Sequence, residues 1–323
     1  MGWSYFFDSF VQVYNGVHRA MGDPKRGLYI LGVSMTCNTF LNWVFIFGNL
    51  GAPQLGVEGA ALATLLARVL SCAIAIGWAV LDKNFRIDPA LLFRPGGEMV
   101  RRFVRFATPV MCNETFWGLG SSLFPTIMGH MDGSEEILAA YAIAGNITNL
   151  CTVGVFAIAG TAAILIGQEI GSGNADKVYS LGALLNTLAF LFGIVAGAAF
   201  LGLLYLFIVP VLYPLFKLST PAGNICTMML TLVFTILPLR SFDTTNIVGV
   251  LRGGGDVRVA TIIDLIPLWA VAIPIAALSG LVFQAGILWV YLGMMSENVV
   301  KSFVGFLRYR TGKWIRDVTV PNV

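Results

Sequence analysis

Gly16-Val17-His18-Arg19-Ala20-Met21-Gly22-Asp23 and Gly249-Val250-Leu251-Arg252-Gly253-Gly254-Gly255-Asp256 share the pattern G-V-x-R-x-x-G-D, with five of the eight residues identical. Each copy follows one apolar stretch and precedes another. A short motif that recurs in the same apolar setting reads as an internal structural repeat. The second copy has a long run of apolar segments before it, whereas the first has only fifteen residues. The chain therefore reads as two repeats with the front of the first missing.

Working outward, 57% of the residues are hydrophobic and only 11% charged, against about a quarter charged in soluble domains. Mean hydropathy is +0.81. These values describe an all-α polytopic membrane protein. A helix needs roughly 20 apolar residues to cross a bilayer, and nine segments approach that length, near 3–19, 27–48, 59–82, 103–128, 136–168, 177–214, 221–250, 257–282 and 285–307. The short alternating segments of a membrane β-barrel are not seen.

The basic residues alternate from one connection to the next. One set of connections and the tail holds Arg19, Lys25, Arg26, Lys83, Arg86, Arg94, Arg101, Arg102, Arg105, Lys177, Arg252, Arg258, Lys301, Arg308, Arg310, Lys313 and Arg316. The intervening connections hold only Lys217, and Arg68 and Arg240 fall inside apolar segments. Basic loops stay in the cytoplasm, so the C-terminus is expected inside and, with nine spans, the N-terminus outside, in a plasma membrane. The first apolar stretch lacks a basic leader and a small-residue cleavage site, so no cleavable signal peptide is expected. Cys37, Cys72, Cys112, Cys151 and Cys226 are far apart inside apolar segments and read as buried small residues.

The stretch 83–105 concentrates charge, proline and glycine and is read as a cytoplasmic linker with Leu91-Leu92-Phe93 dipping into the interface. It divides a partial N-terminal lobe of three helices (1–82) from a six-helix C-terminal lobe (106–310) and a cytoplasmic tail (311–323), where Tyr309 and Trp314 read as interface anchors. In the G-V-x-R-x-x-G-D motifs, Gly22 and Gly255 permit a tight turn. Asp23 and Asp256 are expected to cap the following helix. Arg19 and Arg252 suit a helix C-terminus and lipid headgroups. Gly56-Val57-Glu58-Gly59-Ala60-Ala61-Leu62-Ala63-Thr64 opens the third helix with residues small enough for close helix packing. Gly167-Gln168-Glu169-Ile170-Gly171-Ser172-Gly173-Asn174-Ala175 closes the fifth with a turn.

Taken together, the R-x-x-G-D helix ends, the G-V-E-G-A-A-L-A-T helix start and the G-Q-E-I-G-S-G-N-A turn resemble the multidrug and toxic compound extrusion (MATE) transporters. The likeness covers essentially the whole chain, as the last three helices of that family's N-terminal lobe and all six of its C-terminal lobe. It implies a two-lobed fold around a central cavity and multidrug export of organic cations by Na⁺- or H⁺-driven antiport with alternating access. The first three helices of the family are absent here. An acidic residue that some members use for proton coupling lies in that missing part, so it has no counterpart in this sequence.

Intramembrane charges point the same way, because a charge at mid-membrane persists mainly where it has a partner or a function. Glu114 follows Asn113 and precedes Thr115, Phe116 and Trp117, and Asp243 lies between Phe242 and Thr244, close to Asn246. Carboxylates among hydroxyl and amide oxygens suit Na⁺ or can carry a proton. The resemblance matches Glu114 and Asp243 to the family's acidic residues in its seventh and tenth helices, as the cation-coupling pair. Asn113, Thr115 and Asn246 are candidate polar contacts, and Phe116, Trp117 and Phe242 candidate faces for organic cations, with Phe124 and Trp269 nearby. The alternative for Asp243 is an i,i+3 ion pair with Arg240. Asp264 and Arg68 read as structural partners. No cofactor is expected beyond Na⁺ or H⁺ as coupling ion, and no metal beyond Na⁺ at Glu114 and Asp243. No nucleophile triad, metal cluster or nucleic-acid patch emerges, which excludes an obvious enzyme. The expected partners are small organic substrates, the lipid bilayer and, because helices are missing, a second copy of the chain. Three other readings stand beside efflux: a related flippase for lipid-linked sugars, a truncated, transport-inactive remnant, and an intramembrane enzyme, which would need a catalytic pair facing one cavity.

Overall fold

The computed structural model describes residues 2–82, 96–216 and 218–316. Lys83, Arg86, Arg94, the Leu91-Leu92-Phe93 stretch, Lys217 and the tail beyond 316 lie outside the described residues, which are helical wherever they are regular. The helices are α1 (Gly2–Ala20), α2 (Lys25–Phe47), α3 (Val57–Leu81), α4 (Gly97–Gly129), α5 (Ser134–Gly171), α6 (Ala175–Leu203), α7 (Thr220–Thr244), α8 (Val257–Pro267) and α9 (Ile287–Arg310). Three of them run on through wider π-helical turns: α6 through Leu204–Leu212, α7 through Thr245–Leu251, and α8 through Leu268–Ala272 and Leu278–Val282. Residues 97–105 of the expected linker are the first turns of α4.

Six helices, α2, α3 and α5 to α8 with their continuations, are long and apolar enough to cross a membrane. The expected count of about nine spans is therefore supported at six. α1, α4 and α9 are helical but do not meet the same measure. α4 carries Glu98, Arg101, Arg105 and Glu114, and α9 carries Glu297, Lys301, Arg308 and Arg310.

Two compact units form, Met1–Val100 and Arg101–Val323. In the first, α1 and α2 both pack on α3, around Val11, Tyr14, Ile30, Cys72, Ala75 and Ala79. The small residues at the start of α3 act as expected. A Cβ on Gly59 would lie 2.5 Å from the Phe45 carbonyl oxygen of α2, an approach that only glycine allows. Arg68 pairs with Asp8 at 2.6 Å, joining α3 to α1. In the second unit α7 is central, packed by α5, α6 and α9. Gly193 and Gly197, one turn apart on α6, admit the backbone of α7, since their Cβ atoms would fall 2.5 Å from Pro238 Cα and Phe234 O. This is the small-xxx-small device of membrane helix pairs.

The repeated motif encodes one turn geometry twice. The Asp23 N–H donates to His18 O (2.9 Å) and the Gly22 N–H to Arg19 O (3.1 Å); in the second copy Asp256 donates to Leu251 O and Gly255 to Arg252 O, both at 3.0 Å. This is the Schellman pattern, which needs a left-handed residue at its glycine. Gly22 and Gly255 have φ of +83° and +89°.

The side chains of the motif depart from expectation. Neither Asp caps a helix. Asp23 pairs with Arg26 at 2.9 Å, and Arg26 also reaches Asp82. Asp256 is buried and takes Arg308, through Nε at 2.7 Å and a second nitrogen at 2.5 Å. A cap needs a free carboxylate over the first turn, and these carboxylates are drawn off by arginine. Arg19 does satisfy a late carbonyl, Asn15 O at 3.3 Å, but Arg252 turns inward. Tyr309 and Trp314 are not interface anchors either. Trp314 is fully buried, stacks on Tyr309 at 5.5 Å and donates its indole N–H to Tyr309 O at 3.0 Å. The cysteines also divide: Cys72, Cys151 and Cys226 are buried, Cys37 is half-buried and Cys112 exposed.

Candidate functional site

Four helices of the second unit bring charges together. α4 supplies Asn113 and Glu114, and α7 and its continuation supply Asp243, Asn246 and Arg252. α8 supplies Asp264, and α9 supplies Glu297 and Lys301. α7 changes to a π turn just after Asp243 and Thr244, a feature that recurs at functional positions in helices. Thr245, Asn246 and Ile247 are consecutive and all buried, as on a helix enclosed on every side.

Asp264 is the hub. Its Oδ2 accepts from Asn113 Nδ2 at 2.9 Å and from Arg252 at 3.4 Å, and its Oδ1 lies 2.9 Å from Lys301 Nζ. Lys301 also meets Glu297 at 3.1 Å, one turn back on α9. Arg252 reaches outward to Glu114 at 3.3 Å. Lys301, Asp264, Glu297 and Arg252 are largely buried, whereas the Glu114 side chain is 63% exposed. Glu114, Asp264 and Glu297 face two cations, Arg252 and Lys301, so one negative charge is in excess. Removing one partner of such a buried pair typically costs about 3–5 kcal/mol, because the other charge is left stranded.

Asp243 is 4% exposed. One carboxylate oxygen accepts from the Thr244 hydroxyl at 3.2 Å, while Oδ2 has no hydrogen-bond partner among the described residues. The alternative i,i+3 ion pair with Arg240 is not formed: among the described residues no cation lies within 4.0 Å of Asp243. Lys301, Arg240 and Glu297 act on it at longer range. A buried carboxylate with an unmatched oxygen is costly and persists where it has a function.

The other candidates separate. Asn113 Nδ2 is bound to Asp264, and its Oδ1 is buried without a partner. Asn246 belongs to a buried amide pair, accepting from Asn186 Nδ2 at 3.1 Å. Thr115 is exposed and returns its hydroxyl to Met111 O of its own helix at 2.8 Å, a self-satisfied geometry. Phe116 and Trp117 are exposed. Phe116 meets Trp269 edge-on at 6.4 Å and accepts the Trp269 indole N–H at its carbonyl, 3.3 Å away. Phe242 is half-buried and Phe124 lies in the core. Beside Arg252 opens a hollow of about 520 Å³ lined chiefly by Phe103, Phe106, Val110 and Met111.

Sequence reasoning missed the roles of Arg252, Glu297 and Lys301. By sequence Lys301 reads as part of the basic C-terminal set, although Glu297-x-x-x-Lys301 is an i,i+4 pair within an apolar run, and that pairing is the available signal.

Residues 109–278 match the MatE family. The chain is 27% identical over 311 residues to a probable multidrug resistance protein NorM of Thermotoga maritima, covering 95% of this chain and 64% of that protein. It is 30% identical over 293 residues to a NorM of Mesorhizobium japonicum, covering 87% and 60%. The chain thus spans less than two thirds of the length of either relative. In fold it is similar to a MOP superfamily transporter of Pyrococcus furiosus (TM-score 0.82, 24% identity, 95% of this chain and 67% of that one). It is also similar to the Vibrio cholerae MATE transporter VcmN (TM-score 0.80, 19% identity, 96% and 67%).

Proposed function

Since this chain belongs to the MatE family, we propose that it exports small organic compounds, often cationic, by cation-coupled antiport with alternating access. It is a membrane protein, and on this reading a transporter rather than an enzyme. The reading places it in the plasma membrane as a multi-pass protein with its C-terminus cytoplasmic, in line with its basic connections. The names of its relatives favour drugs as substrates.

The observation that carries the reading is the buried Asp243, with its unmatched oxygen, beside a network that holds one negative charge in excess. Such a site takes up a monovalent cation, Na⁺ or H⁺, and releases it when the surroundings change. Asp243 forms the enclosed end of the site and Glu114 the exposed end. Uptake of the cation there competes with a cationic substrate or favours the outward-facing state. A flippase for lipid-linked sugars carries an anionic head group and needs free cations in its lining. Arg252 and Lys301 are both engaged by carboxylates, which leaves Arg240, without an ion pair among the described residues, as a lone cation inside the apolar run of α7 and a sparse lining for such a head group.

Ethidium efflux from a pump-deficient bacterial host tests the proposal, with expression verified in membranes. The chain is expected to lower ethidium retention relative to empty vector, and Glu114→Gln with Asp243→Asn to abolish the difference. Equal efflux by chain and variant would discard the site. Retention equal to empty vector by a well-expressed chain would count against efflux itself.

A further inference from the structure

The Lys301 side chain is 7% exposed, so its charge is carried inside the second unit. Its 2.9 Å distance to Asp264 is that of a charge-assisted hydrogen bond, and Glu297, 3.1 Å away, is a second ion-pair partner. An ammonium has three N–H donors, and among the described residues two acceptors are in range. Asp243, whose Oδ2 lacks a partner, lies within electrostatic reach of the same ammonium. Lys301 thus has the charge of an alkali ion and the same class of ligand, carboxylate oxygen, but it is tethered to α9. Among the described residues no three acidic, His or Cys side chains converge as a metal site, and the ammonium stands between the carboxylates of α8 and α9.

We propose that Lys301 is the resident cation of this cluster, that it excludes Na⁺ from Asp264 and Glu297, and that the exchangeable cation is the proton on Asp243. The proposal rests on the antiport reading and names its coupling ion. A second alkali ion beside the ammonium would place two like charges in contact in a medium of low dielectric. A proton joining Asp243 neutralises a buried carboxylate that no cation within 4.0 Å offsets among the described residues, and it needs no coordination shell. The groups that face Asp243 are Lys301 and Glu297 from α9 and Arg240 and Thr244 from its own helix. Asp264 of α8 holds Lys301 from the other side, steadied by Asn113 of α4.

The test is thermal unfolding of the purified full chain in detergent, in NaCl or choline chloride of equal ionic strength, because an ion that binds the folded state raises its midpoint. Wild type and Lys301→Arg are expected to unfold at the same temperature in both salts. Lys301→Gln is expected to acquire a saturable Na⁺ stabilisation that the wild type lacks. Adding Glu297→Gln or Asp264→Asn should abolish that gain. Saturable Na⁺ stabilisation of the wild type would overturn the proposal, as would indifference of a folded Lys301→Gln protein to Na⁺. If Lys301→Gln does not fold, wild type and Lys301→Arg decide: a Na⁺ response in either overturns the proposal, and none in both supports it. None of these readouts requires transport, so failed ethidium efflux with this ion pattern intact would remove the efflux reading and leave the role of Lys301 standing.

Discussion

Trp314→Ala and Gly254→Ala, made singly and together, probe the contact that most clearly separates the folded structure from an interface-anchor reading of the tail. Trp314 is fully buried, stacked on Tyr309 and hydrogen-bonded to Tyr309 O. The chain just beyond it is tied down by the Arg316 N–H donating to Gly254 O at 2.8 Å. Truncating a buried Trp to Ala costs about 3–5 kcal/mol. A Cβ on Gly254 would fall 2.4 Å from Trp314 Cε3. The ring must then retreat by roughly 1 Å to regain an ordinary carbon contact, an overpacking that costs about 1–3 kcal/mol. In the double variant the ring is gone and the new methyl enters the space it left. The double loss should therefore fall short of the sum of the single losses by ~1–2 kcal/mol. The relief is partial, because Trp314 O also lies 2.8 Å from that Cβ position. Thermal unfolding in detergent at one fixed scan rate reads these differences, at roughly 2 °C per kcal/mol for chains of this size. If Trp314 lay in the lipid interface, each single change would cost less than about 0.5 kcal/mol and the two would add without coupling. That result would refute the reasoning.

Three further outcomes are expected. Gly197→Ala places a methyl 2.5 Å from the Phe234 carbonyl oxygen, which cannot yield like a side chain. It should destabilise by about 1–3 kcal/mol, whereas Gly202→Ala, with nothing within 4 Å, should change stability by less than about 1 kcal/mol; unfolding midpoints compare the two. Gly255→Ala forces a side chain into the left-handed turn at φ +89° and should cost about 1–2 kcal/mol, measurable in the same assay. Arg308→Met leaves the 1%-exposed Asp256 carboxylate with only the half-exposed Arg316 at 3.5 Å and should lose about 3 kcal/mol; Arg308→Met with Asp256→Asn should recover part of that loss.

The turn geometry was legible in the sequence because it depends on local backbone chemistry. Gly22 and Gly255 sit where only a residue free of a Cβ penalty accepts positive φ, and the same two hydrogen bonds follow in both copies. Helix positions were legible from apolar length, and six of the nine expected spans meet that measure in the structure. The membrane class follows from composition alone. Glu114 and Asp243 stood out because a carboxylate in an apolar segment is conspicuous wherever the chain goes.

Partnership was not legible, because it is set by residues far apart in the chain. Arg252 looks like a helix-end cation until α4 and α8 bring Glu114 and Asp264 against it, 138 and 12 positions away. Lys301 looks like part of a cytoplasmic tail until α9 packs beside α7 and α8 and buries its ammonium between Asp264 and Glu297. Trp314 reads as an interface anchor until Gly254 and the Tyr309 ring close on it and make it a core residue. Local sequence fixes which backbone angles and which bilayer lengths are allowed, since those energies arise within a few residues. The burial and the partner of each charge are decided by tertiary packing, since a charge is stabilised in low dielectric only by the group that the fold sets against it.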